Sequence, residues 1–301
     1  MISISLMLLA GAFIALSNYL MRKSVDTGGT TKGFLVIQLF VVSLVAVLLN
    51  PLRLNAYALD VSTLYLGLFS GSILALMMFS LGRALEIGPA GLTFATLNAA
   101  TVFPAMILAA LLGASYGYAW GESHLIGSLL VLTGLFWAGW NTSGMTDKTR
   151  WLKVITFMFM LHVIFLILLS LRAFFHTYSA NTFFPSLSEG AFCSPWFMPI
   201  AFLTAALIQG VIFLTSEKRG FQRSEILYGI LGGCANGIGT FFMIRSTEIA
   251  HGFEQMILYP LLSISVIILC NLWGQILYHE HINWRATLLC LLGIVIAGAF
   301  A

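Results

Sequence analysis

Apolar stretches about 20 residues long, separated by short polar segments, follow one another along nearly the whole chain, and each could form a helix that spans the hydrocarbon core of a bilayer. Only 8% of the 301 residues are charged. Soluble domains contain roughly 25% charged residues, so this chain has too few charges to cover a surface in water. The predicted spans are 3–21, 33–51, 62–83, 90–113, 124–141, 152–171, 196–216, 226–244, 254–276 and 284–301.

The predicted fold class is an all-α integral membrane protein with ten transmembrane helices. A helix satisfies its own backbone hydrogen bonds inside the hydrocarbon, whereas an open strand cannot. A membrane β-barrel would show alternating segments of ~10 residues, and these runs are continuously apolar instead. Most connections are very short, which makes consecutive helices antiparallel neighbours. The longer connection at 172–195 is predicted to carry a short interfacial helix around 183–192.

The second half of the sequence repeats the first. A shift of 162 residues places Arg83 and Glu86 on Arg245 and Glu248, with the same R-x-x-E-I spacing. Arg and Glu are scarce in this chain, so their paired match indicates a duplication more strongly than matched leucines would. Each unit has five helices, at 1–145 and 146–301, and an odd number of spans turns the second unit upside down relative to the first. Further matches at shifts of 162 and 159 are Gly67/Gly229, Gly71/Gly233, Gly134/Gly293 and Leu129/Leu288.

The residues around the repeated arginine carry a resemblance to a known family. The segment R-A-L-E-I-G-P-A at 83–90 leads into an apolar span, and Glu122 and Glu280 stand just before the last helix of each half. In these features the chain resembles the EamA-type, ten-helix members of the drug/metabolite transporter superfamily. The resemblance covers helices three to five and eight to ten. It implies two inverted five-helix repeats and transport of a small molecule.

Six residues are predicted to bind a substrate. Arg83 and Arg245 lie near the ends of equivalent spans, and a charged residue near the membrane is a functional candidate because its desolvation is costly. If both faced a cavity, they would suit a carboxylate or a phosphate. The alternative is that each arginine is neutralised locally by the glutamate three residues later. The other four candidates are Asn18, Asn98, Asn236 and Tyr259.

The polar residues inside spans have a second interpretation. Amides within membrane helices often form interhelical hydrogen bonds, which would give Asn18, Asn98 and Asn236 a packing role. His162 lies within the sixth span, where it could relay protons or serve as a packed hydrogen-bond donor. The first span lacks an acidic residue, which argues against proton-coupled export of cationic drugs, and Glu254 is the nearest substitute.

The sequence favours a secondary transporter that moves a small polar metabolite, anionic or zwitterionic, by alternating access. The chain has no phosphate-binding loop and no segment long enough for a nucleotide-binding domain. The alternatives are a membrane-embedded enzyme, for which the H-E-x-x-H and G-x-S-x-G signatures are absent, and an accessory membrane subunit. No cofactor, metal or nucleic acid is expected. The expected partners are the metabolite and the lipid bilayer, and a coupling ion and a homodimer are left open.

The distribution of basic residues predicts an orientation in a bacterial inner membrane. Loops 1–2, 3–4, 5–6, 7–8 and 9–10 and their flanks hold eleven of the fourteen Lys and Arg residues. The positive-inside rule then places these loops in the cytoplasm and both termini outside. The family resemblance implies the reverse, with both termini in the cytoplasm.

Overall fold

The computed structural model describes residues 2–113, 121–140, 147–177, 194–250 and 253–299. Over these residues the chain is helical and contains no strand, which confirms the all-α prediction. The helices are α1 (Ile2–Asp26), α2 (Thr31–Val47), α3 (Val61–Ile87), α4 (Ala90–Ala99), α5 (Phe103–Leu112), α6 (Glu122–Trp140), α7 (Lys148–Thr177), α8 (Phe197–Glu217), α9 (Arg223–Ile249), α10 (Phe253–Tyr278) and α11 (Trp284–Ala299). The predicted surface helix at 183–192 lies outside the described residues.

The length and composition of these helices suit a multi-pass membrane protein. Among the described residues, eight helical segments are long and apolar enough to cross a bilayer, and α6 and α11 form two shorter apolar helices. One of the eight is Ala90–Leu108, where α4 and α5 are joined by a 3₁₀ turn at Ala100–Val102. Large apolar side chains such as Phe40, Phe69 and Leu207 are exposed on the outside of the bundle, as lipid contact requires.

Polar residues start and end the helices where the chain turns. Thr30 accepts a hydrogen bond from Gly33 N at the start of α2, and Asp60 accepts one from Thr63 N at the start of α3. At the start of α9, Gln222 and Glu225 form a reciprocal capping box. Lys218 ends α8 in the left-handed conformation with φ of 50°. These caps fix where the helices begin and end at the short turns.

Consecutive spans alternate in direction, with α4 and α5 counted as one span, which gives the bundle two ends. We call the end that carries the turns at 27–30, 88–89, 218–222 and 279–283 and the start of α7 the basic end, because eleven of the fourteen Lys and Arg residues lie there or in the adjoining helix turns. Trp196 Nε1 donates to Ala56 O at 2.9 Å at the opposite end. Ser246 Oγ likewise donates to Ser3 O at 2.7 Å there.

Helix contacts run mainly between the two halves of the chain. α1 packs against α9 and α10, and α7 packs against α3 and the α4–α5 segment. α2 contacts both α8 and α9, and α3 contacts α8. α6 pairs with α11, and α4 also contacts α10. The two halves therefore share one core rather than forming separate lobes.

Candidate functional site

The two predicted arginines lie at opposite ends of the bundle. Arg83 Nη1 is 2.6 Å from Glu86 at the basic end, and Arg245 Nη1 is 2.8 Å from Glu248 near the other end. Their side chains are 37% and 42% exposed, respectively. The ends of a 25-residue helix such as α1 are roughly 37 Å apart, so one small molecule cannot bridge both arginines at once. Each arginine is paired with the glutamate three residues later in the sequence.

A small cleft of about 20 Å³, room for roughly one water molecule, lies near the basic end between α1, α4 and α10. Asn18 lies at its inner part, where Asn18 Nδ2 is 3.7 Å from Cys270 Sγ. Arg22, one helix turn nearer the basic end, lies over the Tyr278 ring at 5.3 Å and within 3.3 Å of Asp26. The remaining lining residues are Tyr19, Ala90, Gly91, Phe94, Trp273 and Gly274. The cleft thus combines aromatic walls with one cation and one amide.

Glu280 holds the start of α4 at the wall of this cleft. Its two carboxylate oxygens accept hydrogen bonds from Ala90 N at 3.0 Å and Gly91 N at 2.9 Å. A carboxylate is favourable at a helix N-terminus, because the first backbone N–H groups have no partner within the helix. Gly274 leaves room for the glutamate, since a Cβ there would lie 3.0 Å from Glu280 Oε2. Glu280 thereby ties the α10–α11 turn to α4.

Buried oxygens converge where α4 ends and the 3₁₀ turn begins. Ser263 Oγ on α10 donates to Asn98 O at 2.6 Å and lies 2.6 Å from Thr101 Oγ1. Thr101 Oγ1 is also 3.0 Å from Asn98 O. His162 Nδ1 on α7 lies 2.5 Å from the neighbouring carbonyl, Leu97 O. We call Asn98 O, Thr101 Oγ1 and Ser263 Oγ the oxygen cluster.

The predicted polar residues therefore separate into different environments. Asn18 lines the cleft, whereas the Asn98 amide donates to Phe94 O of its own helix at 2.8 Å and its backbone carbonyl joins the oxygen cluster. Tyr259 lies on α10 one turn before Ser263 and is half-buried. Asn236 is half-buried on α9. The side chain of Glu254, near the start of α10, lies outside what the structure describes.

A charged network at the basic end was not predicted. Glu225 is fully buried, and its carboxylate accepts hydrogen bonds of 2.6–3.1 Å from Thr30 N, Thr30 Oγ1, Gln222 N and both Nη atoms of Arg219. Hydrogen bonds to Glu225 raise the pKa of the Arg219 guanidinium. Lys32 Nζ contacts Glu217 at 3.0 Å beside it. The network ties the α1–α2 turn to the α8–α9 turn. The capping-box spacing at 222–225 was the one sequence signal for it.

Comparison with known proteins bears on the fold alone. No family model matches the chain, and no curated protein matches it. A solved structure described as "Crystal structure of protein" is similar over 99% of this chain and 99% of that chain, with a TM-score of 0.64 and 16% sequence identity. At this identity the similarity extends to the path of the backbone and carries no information on substrate.

Proposed function

We propose that the chain is a secondary transporter, built from two inverted five-helix repeats with ten membrane spans, that moves a small anionic or zwitterionic metabolite by alternating access. The repeats are residues 1–145 and 146–301. The proposal places the protein in the bacterial inner membrane and within the EamA-type branch of the drug/metabolite transporters. The observation that carries it is the exchange of equivalent contacts between the two halves.

Glycine contacts on α3 and α9 are exchanged in this way. A Cβ on Gly67 of α3 would lie 2.6 Å from Ile200 Cγ2 of α8. A Cβ on Gly229 of α9 would lie 2.7 Å from Ile37 Cβ of α2. Gly229 is 162 residues after Gly67, and Ile200 is 163 residues after Ile37. Equivalent residues therefore make the same contact twice, each time between one half and the other, as a two-fold axis between inverted repeats requires.

The last helices of the two halves follow the same rule. A Cβ on Gly134 of α6 would lie 2.8 Å from Cys290 N, and a Cβ on Gly293 of α11 would lie 2.7 Å from Val131 N. Gly293 follows Gly134 by 159 residues, and Cys290 follows Val131 by the same number. The first helix of the first half, α1, packs against α9 of the second half, and the first helix of the second half, α7, packs against α3 of the first half. This is a third exchanged contact. Inverted repeats of this kind support transport, because rocking one repeat against the other opens a central site to alternate sides.

The chemistry of the candidate residues supports an anionic or zwitterionic substrate. Arg22 supplies a cation inside the cleft, and Asn18 supplies both a donor and an acceptor deeper in. Arg83 and Arg245 each use Nη1 on one glutamate, and a guanidinium has five N–H donors. We propose that these two arginines meet the anionic group of the substrate at opposite ends of the pathway, one at each side of the membrane.

The first experiment is a binding screen followed by transport. Purified protein is heated with members of a library of carboxylate, phosphate and zwitterionic metabolites, and a ligand at 100 times its Kd stabilises the fold by about 2.7 kcal/mol. Hits are then tested as radiolabelled solutes in proteoliposomes. If no library member stabilises the protein or crosses the membrane, an accessory subunit becomes the better interpretation.

The second experiment tests the arginines. We expect Arg83→Ala and Arg245→Ala each to abolish transport of the identified solute while expression stays intact. Arg223→Ala is the matched control, because Arg223 is an exposed basic residue at the start of α9 and its loss changes the net charge equally. Unchanged transport in both arginine variants would remove these residues from the proposal and leave Arg22 as the cation to examine.

A further inference from the structure

We infer that the basic end of the bundle binds the headgroups of anionic phospholipids through Lys153, near the start of α7, and Arg285, at the start of α11. We call these two residues the headgroup contacts. The inference goes beyond the proposed function and does not depend on it, because it concerns the lipid around the helices and not a solute that crosses the membrane.

Lys153 extends from the lipid-facing side of α7. Phe157, Met160 and Ile164 follow it at intervals of four, three and four residues, and all four side chains are exposed. Residues at this spacing lie on one side of an α-helix. An exposed apolar side of a membrane helix contacts lipid chains, so Lys153 lies beside the same lipids, nearer the basic end.

The length of α7 places Lys153 at the depth of the headgroups. Its 30 residues rise about 45 Å, whereas the hydrocarbon core of a bilayer is about 30 Å thick. If the excess is shared equally, about 8 Å of helix lies outside the hydrocarbon at each end. Lys153 is the sixth residue of α7, which places it about 8 Å from the start of the helix. Its apolar stem can then lie along the helix while the ammonium group reaches a phosphate.

Arg285 has a similar position on α11. Leu288, Leu292 and Val295 follow it at intervals of three, four and three residues, and all four side chains are exposed. Because α11 begins one residue earlier, at the basic end, Arg285 lies where the lipid-facing side of this helix starts. Two helices of the bundle therefore present the same pattern, with a cation at the basic end followed by exposed apolar residues.

Tryptophans mark the depth of Arg285 independently. Trp284 directly precedes it in α11. Trp137 is exposed on α6, and a Cβ on Gly134, one turn away, would lie 2.8 Å from Ala286 O. Trp137 and Arg285 are therefore at similar heights in the bundle. Tryptophan is enriched at the level of the headgroups, where its ring contacts chains and its N–H contacts water or lipid oxygens.

The protein does not neutralise the headgroup contacts. Over the residues that the structure describes, neither Lys153 nor Arg285 forms an ion pair. By contrast, Lys32, Arg219 and Arg245 each contact a glutamate at 2.6–3.0 Å. An unpaired cation beside the membrane surface attracts headgroups of net negative charge more strongly than zwitterionic ones, whose own cation opposes the approach. The unpaired cations therefore favour anionic phospholipids.

The test compares lipids with the same chains and different headgroup charge. Thermal unfolding of the purified full-length protein is followed in detergent micelles as phosphatidylglycerol or phosphatidylcholine is added. We expect a saturable rise in Tm that is larger with phosphatidylglycerol, and a smaller difference in 1 M NaCl, where the Debye length falls to about 3 Å. Equal rises with the two lipids, or a difference that salt does not reduce, overturn the inference. An equal rise with soluble glycerol phosphate also overturns it, because that result indicates a site for a free anion.

Variants assign the effect to the two headgroup contacts. Lys153→Gln and Arg285→Gln are each expected to raise the half-saturating phosphatidylglycerol concentration by about fivefold. Lys153→Arg and Arg285→Lys keep the charge and are expected to keep the lipid response, which covers the case in which a glutamine variant does not fold. Lys32→Gln is the matched control, because it removes the same charge from a side chain that Glu217 already holds at 3.0 Å.

The control decides between a located surface and a general effect of net charge. A weaker lipid response in the two glutamine variants, with the response of Lys32→Gln unchanged, supports the headgroup contacts. If Lys32→Gln weakens the response as much as Lys153→Gln and Arg285→Gln do, the response follows net charge and the assignment is overturned. An unchanged response in both glutamine variants places the lipid elsewhere and overturns it as well.

Discussion

Replacing Gly71 by alanine tests the close contact between α3 and α8. A Cβ on Gly71 would lie 2.5 Å from Ala201 O and 2.6 Å from Thr204 Cβ, well inside the 3.4 Å at which ordinary contact begins. The obstruction is the backbone of α8, which cannot rotate away as a flexible side chain can. The two helices must therefore separate locally, and neighbouring contacts that depend on their approach are weakened.

The size of the effect follows from two opposing contributions. Overpacking a well-packed interior costs typically 1–3 kcal/mol, and a rigid obstacle places this case at about 3 kcal/mol. Alanine is favoured over glycine within a helix by about 1 kcal/mol, which leaves a net loss of about 2 kcal/mol for Gly71→Ala. At Gly210 a Cβ would meet nothing within 4 Å, so Gly210→Ala keeps only the gain. The two variants should differ by about 3 kcal/mol, with opposite signs.

The assay is thermal unfolding of both variants in detergent, followed by size-exclusion chromatography. At roughly 2 °C per kcal/mol, the scale for larger domains, the melting temperatures should lie about 6 °C apart. Gly233→Ala should behave as Gly71→Ala does, because a Cβ there would lie 2.6 Å from Val41 Cβ and 2.8 Å from Gln38 O. If Gly71→Ala were as stable as Gly210→Ala, the close approach of α3 and α8 would be refuted.

Two further predictions concern the basic end. Glu225→Gln should lower the unfolding free energy by about 3 kcal/mol, because it removes the charged partner of Arg219, whose 27% exposure allows partial rehydration. Glu248→Gln, in an exposed pair, should lower it by about 0.5 kcal/mol. Equal Tm values for the two variants would contradict the burial of Glu225. A cysteine placed at Lys148 should be protected from membrane-impermeant thiol reagents in intact cells and labelled after lysis, as the positive-inside rule predicts, and labelling in intact cells would reverse the orientation.

The helices could be predicted closely because their signal is the length of an apolar run. The predicted span 196–216 corresponds to α8 at Phe197–Glu217. The predicted span 226–244 is shorter than α9, which runs from Arg223 to Ile249. The helix continues at both ends because polar residues remain helical beyond the hydrocarbon, held by the Gln222–Glu225 capping box at the start. Hydropathy marks where a helix is apolar, and capping decides where it ends.

The helix break and the charged network could not be located from local sequence. Pro104 lies in the fourth predicted span, and a proline can bend a helix, but the 3₁₀ turn lies just before it, at Ala100–Val102. Next to this turn, Ser263 of another helix donates to the carbonyl of Asn98. Glu225 sits in a stretch of basic and polar residues that is typical of a solvated loop. Its burial arises because Thr30, almost 200 residues earlier, brings two donors to it. Both features depend on partners distant in sequence.

Two glutamates join the two halves of the chain at the basic end. At the basic end, Glu225 links the α1–α2 turn to the α8–α9 turn, and Glu280 links α4 to the α10–α11 turn, each through several charge-assisted hydrogen bonds. Widening the cleft between α4 and α10 requires the Glu280 bonds to break. Charge-assisted hydrogen bonds are worth about 1.5–3 kcal/mol each, so the two of them together oppose any separation of α4 from the α10–α11 turn. In the proposed transport cycle, a ligand would shift this equilibrium only by its differential affinity for the open state, and the aromatic walls and Arg22 are the cleft residues proposed to supply that difference.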